Sequence, residues 1–298
     1  MTVVDWLLEG DPAIRWQVLR DVVRAPDDQV AAERELVGTT GWGAALLAAQ
    51  EADGQWAGGA LFPRDGWDRE AGEGQPWTAT EPTLSLLRLF GARVPAEAIG
   101  RVRDNCRWEN DKQPFFAGEV EPCINGRVVA LGVYFGQDVE PVVRRLLGEQ
   151  LADGGWNCEA EYGSARSSFD TTINVLEGLR AYGDGLPGLA ESRRRGEEYL
   201  LERGLLRRRS TGGLVNDDYL RLSFPCWWHY DVLRGLDYFR GLDDPRLDEA
   251  RQLLLDKRQD DGTWLLEHTH PGRVHVRMER DGLPSRWNTL RALRALAG

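Results

Sequence analysis

One short turn, written three times, constrains this chain more than anything else in it. Gln50-Glu51-Ala52-Asp53-Gly54-Gln55-Trp56, Gln150-Leu151-Ala152-Asp153-Gly154-Gly155-Trp156 and Arg258-Gln259-Asp260-Asp261-Gly262-Thr263-Trp264 share Asp-Gly-x-Trp, the Gln of the third copy being displaced by one position. Each copy ends a stretch with helical periodicity, residues 44–49, 142–149 and 250–257. Glycine supplies the left-handed residue that stops a helix, and Asp favours the turn. The Trp that follows then folds back onto a neighbouring helix. An internal repeat of this kind marks a fold assembled from one supersecondary unit.

A second pattern interleaves with the first. Six segments open on a breaker or cap and run into an apolar helix, starting at Pro12, Pro82, Asn125, Asp170, His229 and Ser285. Between them lie amphipathic stretches at 29–36, 95–102, 139–147, 189–201 and 245–255. Gly132, Gly178 and Gly235 fall inside the apolar helices. Each costs about 1 kcal/mol against Ala, which close helix packing offsets. The alternation predicts an all-α fold: outer amphipathic helices and inner apolar ones, closed into a ring of helical hairpins around a central cavity. The whole chain, 1–298, is expected to form that single domain. An open helical solenoid is the architectural rival, and the Asp-Gly-x-Trp turns favour closure. In a closed ring the inner N-termini, with their unpaired N–H groups, gather at one mouth and make it the natural ligand site.

Charge and composition narrow the partners. The formal charge is −11, with no long basic stripe, which argues against nucleic acid. The short basic runs at Arg193–Arg195 and Arg207–Arg209 read as a solvated helix face. No apolar stretch approaches the roughly 20 residues that span a membrane, and the first residues show no leader pattern. The four cysteines, Cys106, Cys123, Cys158 and Cys226, are scattered singly rather than set in a disulfide framework, so a cytoplasmic location is expected. Peripheral membrane contact and the oligomeric state stay open. Twelve Trp residues imply large aromatic walls.

The Gln-x-x-x-Gly-x-Trp turns resemble the QW motif of squalene–hopene and oxidosqualene cyclases. The segment Gln150–Leu179 is similar to one repeat of that superfamily, and protein prenyltransferase β-subunits are similar in fold. The resemblance implies an (α/α)6 toroid with a central apolar cavity. It gives a structural role to Gln50, Trp56, Gln150, Trp156 and Trp264. Class II cyclases carry Asp-x-Asp-Asp-Thr at an inner-helix start, the middle Asp protonating an alkene. Here the matching stretch is Ser167-Ser168-Phe169-Asp170-Thr171, with Phe169 at the donor position, and no Asp-Asp-x-x-Asp diphosphate motif occurs.

Candidate chemistry gathers at the inner-helix starts. Asp170 reads either as an N-cap or as a carboxylate at the mouth whose pKa burial raises into the range of an acid. His229, between Trp227-Trp228 and Tyr230-Asp231, suits proton transfer with its neighbours. Glu81 and Asp231 complete the acid–base set. Trp77, Trp227, Trp228, Tyr230 and Trp287, with Asn125, are the expected substrate wall, since aromatic faces stabilise cations. Prenyltransferase zinc is held by an Asp, a Cys and a His at successive inner-helix starts. The resemblance therefore implies a metal set of Cys123 and His229 with Glu121 or Asp170, ligand types that zinc accepts. His268, His270 and His275 read as an exposed loop, and 67–77 as a polar loop over the mouth.

Three functions stay open. One is a cyclase-like enzyme doing acid–base chemistry on an apolar isoprenoid or polycyclic molecule, without a cofactor. Another is a zinc-dependent, prenyltransferase-like enzyme. The last is a non-catalytic toroid that binds a small apolar molecule.

Overall fold

Caps and breakers become helix starts in the computed structural model, which describes residues 2–68, 70 and 72–297. The described helices are α1 (Val3–Leu8), α2 (Pro12–Val18), α3 (Asp27–Glu35), α4 (Gly41–Ala48), α5 (Thr80–Phe90), α6 (Ala96–Asn105) and α7 (Pro122–Tyr134). They continue with α8 (Glu140–Gly148), α9 (Phe169–Tyr182), α10 (Leu189–Leu201), α11 (Val232–Tyr238), α12 (Asp248–Asp256) and α13 (Arg286–Leu296). A wider helical turn carries α2 on through Leu19–Val23. Two short strands, β1 (Trp264–Leu265) and β2 (Pro284–Ser285), pair antiparallel. The fold is all-α.

The inner helices are α2, α5, α7, α9, α11 and α13. Asp11, Ser168, Asp231 and Ser285 cap four of them through side-chain bonds to backbone N–H groups at 2.7–3.0 Å. Pro122 opens α7, where a missing N–H costs nothing. Four starts differ from expectation. α7 begins at Pro122 rather than Asn125, and α11 at Val232 rather than His229. Pro82 sits inside the first turn of α5, because a proline there removes no helical bond. Asp170 is not the cap of α9; Ser168 is, and the Asp170 carboxylate is free to bond elsewhere.

The ring closes. Trp16 Nε1 donates to Phe90 O at 2.7 Å, joining α2 to α5. Arg127 of α7 pairs with Glu81 of α5 at 3.1 Å. α7 and α9 approach until a Cβ on Gly178 would lie 2.2 Å from Gly126 O, so only glycine fits there. Arg234 of α11 binds Glu177 of α9, Arg294 of α13 binds Asp237 of α11, and Arg294 Nη1 reaches Gln17 of α2 at 3.1 Å. The last helix thus meets the first of the ring, and the open solenoid is ruled out.

The repeated turns act alike. Trp56, Trp156 and Trp264 each donate Nε1–H to the carbonyl ten residues back, Leu46, Leu146 and Leu254, at 2.7 Å. Each also donates its backbone N–H to a Thr hydroxyl on the next inner helix: Thr80, Thr172 and Thr289, at 3.0–3.2 Å. Gly54, Gly154 and Gly262 take φ of 94°, 99° and 85°. Gln50 and Gln150 bond Gly54 O and Gly154 O at 2.8 and 2.6 Å; the displaced Gln259 bonds Lys257 O instead. Every Trp therefore ties an outer helix to an inner one.

The hollow on the ring axis is small, about 130 Å³, and its walls include Arg88, Arg127, Arg234, Arg291, Arg294, Glu177 and Asp237. Leu86, Leu131, Phe224 and Trp227 are among the other walls, so the cavity is lined mainly by apolar surface, with charged groups set into it. Ion pairs fill the axis, and their cost of desolvation is offset only by close pairing.

Candidate functional site at the mouth of the ring

A pocket of about 770 Å³ lies at the inner-helix N-terminal mouth. Leu61, Phe62, Trp67, Ile124 and Trp228 give it apolar walls. Its polar residues include Glu121, Cys123, Cys158 and Asp170. Within the polar loop that borders it, Arg69 and Ala71 lie outside the described residues.

Three potential metal donors converge there. One oxygen of Glu121 and the Sγ atoms of Cys123 and Cys158 all lie within 4.8 Å of one another. Two of them come from the start of α7. Cys158 comes from the segment just past the anchored Trp156, and Thr171 of α9 donates to its Sγ at 3.4 Å. The Cys123 thiol lies 3.5 Å from a Glu121 oxygen. The Cys123 thiol donating to Cys158, helped by Thr171, lowers Cys158; the same bond and burial push Cys123 well up. Of the two, Cys158 is the more readily ionised.

The donor set fits zinc. Zinc accepts thiolate and carboxylate at about 2.3 and 2.1 Å, so tetrahedral ligands lie roughly 3.5–3.8 Å apart, closer than the 4.8 Å within which these donors stand, a gap that side-chain rotation would close. Three protein donors would leave one tetrahedral position for a further ligand. Of the four expected ligands the structure brings Cys123 and Glu121 together and adds Cys158; Asp170 and His229 stand outside the cluster. Cys158 carried a signal that went unread: a thiol two residues after an Asp-Gly-x-Trp turn is delivered to the head of the next inner helix.

Asp170 is fully engaged. Its Oδ2 accepts from Tyr219 Oη and its Oδ1 from the Tyr230 N–H, both at 2.7 Å. Burial raises its pKa, against the lowering effect of those bonds. It pins the 219–230 segment to α9 while one face looks into the pocket. Asp231 caps α11 and also accepts from Ser223 N and Oγ at 2.9 Å. Glu81 is fully buried, bonded by Ser85 at 2.6 Å and paired with Arg127.

His229 stacks between Trp228 and His270, ring centroids 3.6 Å from each, and His268 meets His270 edge-on. Burial, then the His270 charge, pushes His229 down to about 3. Burial and His268 take His270 to about 4. Nδ1 of His229 and Nε2 of His270 have no partner among the described residues. This row belongs to a smaller adjoining pocket of about 310 Å³. The loop histidines are therefore packed against the mouth: His268 and His270 join His229, and His275 bonds Thr78 O at 2.8 Å.

The aromatic candidates divide. Trp228 lines the main pocket, while Trp77 and Trp227 stack at 4.7 Å beside a third cavity. Tyr230 is buried with its hydroxyl on Leu205 O. Trp287 is fully buried between Phe90, Phe224 and Trp42, and Asn125 is buried against the Glu119 backbone.

No family model matches the chain, and no curated protein matches it. Solved structures similar to it include the following. A protein from Actinoplanes is 17% identical over 96% of this chain and 89% of that one, with a TM-score of 0.41. Two variants of the type II terpene cyclase MstE from Scytonema, in complex with geranylgeranyl dihydroxybenzoate, are 15% and 16% identical. They cover 97% and 96% of this chain and 86% and 71% of those chains, with TM-scores of 0.42 and 0.30. Likenesses this distant assign no chemistry to this chain. Among the described residues no helix is long and apolar enough to cross a membrane.

Proposed function

We propose that this toroid is a zinc-dependent enzyme acting on a small, largely apolar molecule held in the mouth pocket. One observation carries the reading: two thiols and a carboxylate from two separate segments converge at the wall of a large, aromatic-lined pocket. Cys123, Cys158 and Glu121 would hold the metal, which supplies Lewis acidity at its open position. The chain's own part is to bind and orient: Phe62, Trp67 and Trp228 take the apolar body, and Asp170 fixes the wall they stand on. A pocket of this size suits one drug-sized molecule. The axial hollow, at about 130 Å³, is too small for a polycyclic skeleton.

The test is metal analysis of the purified chain by inductively coupled plasma mass spectrometry. About one zinc per chain, lost in Cys123→Ser and Cys158→Ser but kept in His229→Gln, is the expected result. Metal-free protein that binds no added zinc tightly would overturn it.

A metal-free acid–base reading, with Asp170 as the acid, draws support from its raised pKa and its place on the pocket wall. It requires turnover without metal that Asp170→Asn abolishes. A ligand that copurifies and is returned unchanged would favour a binding toroid over either enzyme.

A further inference from the structure

The opposite mouth of the ring has another character. There the C-terminal ends of the inner helices surround a pocket of about 560 Å³ lined by Arg20, Arg34, Arg88, Arg180, Arg240 and Arg294. Two carboxylates, Glu177 and Asp237, share that lining, and both are already bound, by Arg234 and Arg294 at 2.5–2.9 Å. In a chain of net charge −11 this is a local excess of cations at a concave site.

A plainer role accounts for some of these arginines. Arg34 donates to Gly91 O at 2.9 Å and Arg180 to Tyr238 O at 2.6 Å, so both cap helix C-termini, where cations are favoured. Arg20 pairs with Asp21 and Arg240 approaches Asp237 at 3.7 Å. Arg88 has no such explanation. It faces both this pocket and the axial hollow, and it makes no hydrogen bond or ion pair among the described residues. Burial, with Arg180 and Arg234 nearby, lowers its pKa despite Glu177, as expected of an uncompensated cation. Arg34, which also donates to Tyr134 Oη at 3.0 Å, and Arg180 keep further N–H donors and line the same pocket. A half-buried guanidinium that lines an open pocket without a protein acceptor is free to take one from a ligand, and its planar fork matches an oxyanion.

We propose that this second mouth binds a small phosphate-bearing molecule, with Arg88 as the central donor and Arg34 and Arg180 flanking it.

The test uses the full chain with inorganic pyrophosphate as probe, by calorimetry and thermal melting. A second arm uses phosphatidylcholine vesicles with and without phosphatidic acid. The expected result is saturable pyrophosphate binding that weakens with salt. Arg88→Met and Arg180→Gln should each weaken it at least about tenfold, the loss of a charge-assisted contact. Exposed Arg209→Gln should leave it unchanged. Free Arg88→Met should melt no lower than the parent, because the arginine has no partner to lose. Should Arg88→Met fail to fold, Arg240→Gln, whose side chain is exposed, is expected to weaken pyrophosphate at least threefold. Binding only to phosphatidic acid vesicles, with the same variant pattern, supports the same chemistry from a lipid source. No saturable binding in either arm, equal binding by the parent and the arginine variants, or a marked drop in the melting point of folded, ligand-free Arg88→Met overturns the proposal.

Discussion

At Cys158, hydrogen bonds from Cys123 and Thr171 stabilise the charged sulfur, whereas Cys123 is held as the thiol. Thiolates, not thiols, react with alkylating agents. In metal-stripped protein, iodoacetamide followed by peptide mass spectrometry should therefore modify Cys158 well before Cys123, and Cys123→Ala should slow Cys158. The stacked imidazoles give a second expectation. Their folded pKa values, about 3 and 4, lie below the ordinary 6.5. The unfolded chain then binds protons that the folded one refuses, so their contribution is intact above pH 6.5 and is lost as pH falls towards 4. The loss is on the order of 1 kcal/mol per imidazole per pH unit over that window. Melting curves should show a steeper acid decline for the parent than for His229→Phe/His270→Phe, which keeps two stacked rings and removes the titration. The raised carboxyl of Asp170 works in the opposite sense and is common to both proteins, so the difference between them isolates the imidazoles.

At the scale of elements, the Trp turns and the glycine contact set how hairpins join. Thr172→Val removes the acceptor of the buried Trp156 N–H and is expected to cost about 1–3 kcal/mol in urea denaturation. Gly178→Ala forces a methyl against Gly126 O and should cost about as much or more, through separation of α7 from α9. The three turns, the six inner helices and their alternation with outer ones were legible because each rests on local chemistry: a left-handed glycine, a cap, a helical period. Helix starts slipped by a few residues where a proline fits the first turn, as at Pro82. The mouth was legible as a place, and Cys123 and Glu121 as members of it. Their partner was not, because Cys158 meets them only through the folding back of a loop that no periodicity describes. Asp170 read as cap or acid; the structure shows both its oxygens bonded across the mouth by Tyr219 and Tyr230. Tyr219, on an irregular segment, offered no sequence signal.

For the whole molecule, closure puts charged pairs where six helices meet. Arg234 binds Glu177, Asn174 Oδ1 and two loop carbonyls, so it knits α9, α11 and the mouth segment together. Arg234→Met leaves the half-buried Glu177 without its ion-pair partner and should cost about 1.5–3 kcal/mol, whereas adding Glu177→Leu should recover part of the loss in chemical denaturation. The same closure gathers distant segments into one mouth, and the proposed metal centre depends on it. X-ray absorption at the zinc K-edge of the purified chain reads that centre directly. The expected shell holds two sulfurs at about 2.3 Å with oxygen or nitrogen at about 2.0–2.2 Å, and Cys158→Ser, which loses the metal, gives no such shell. A shell without sulfur, or two sulfurs that persist in Cys158→Ser, would contradict it.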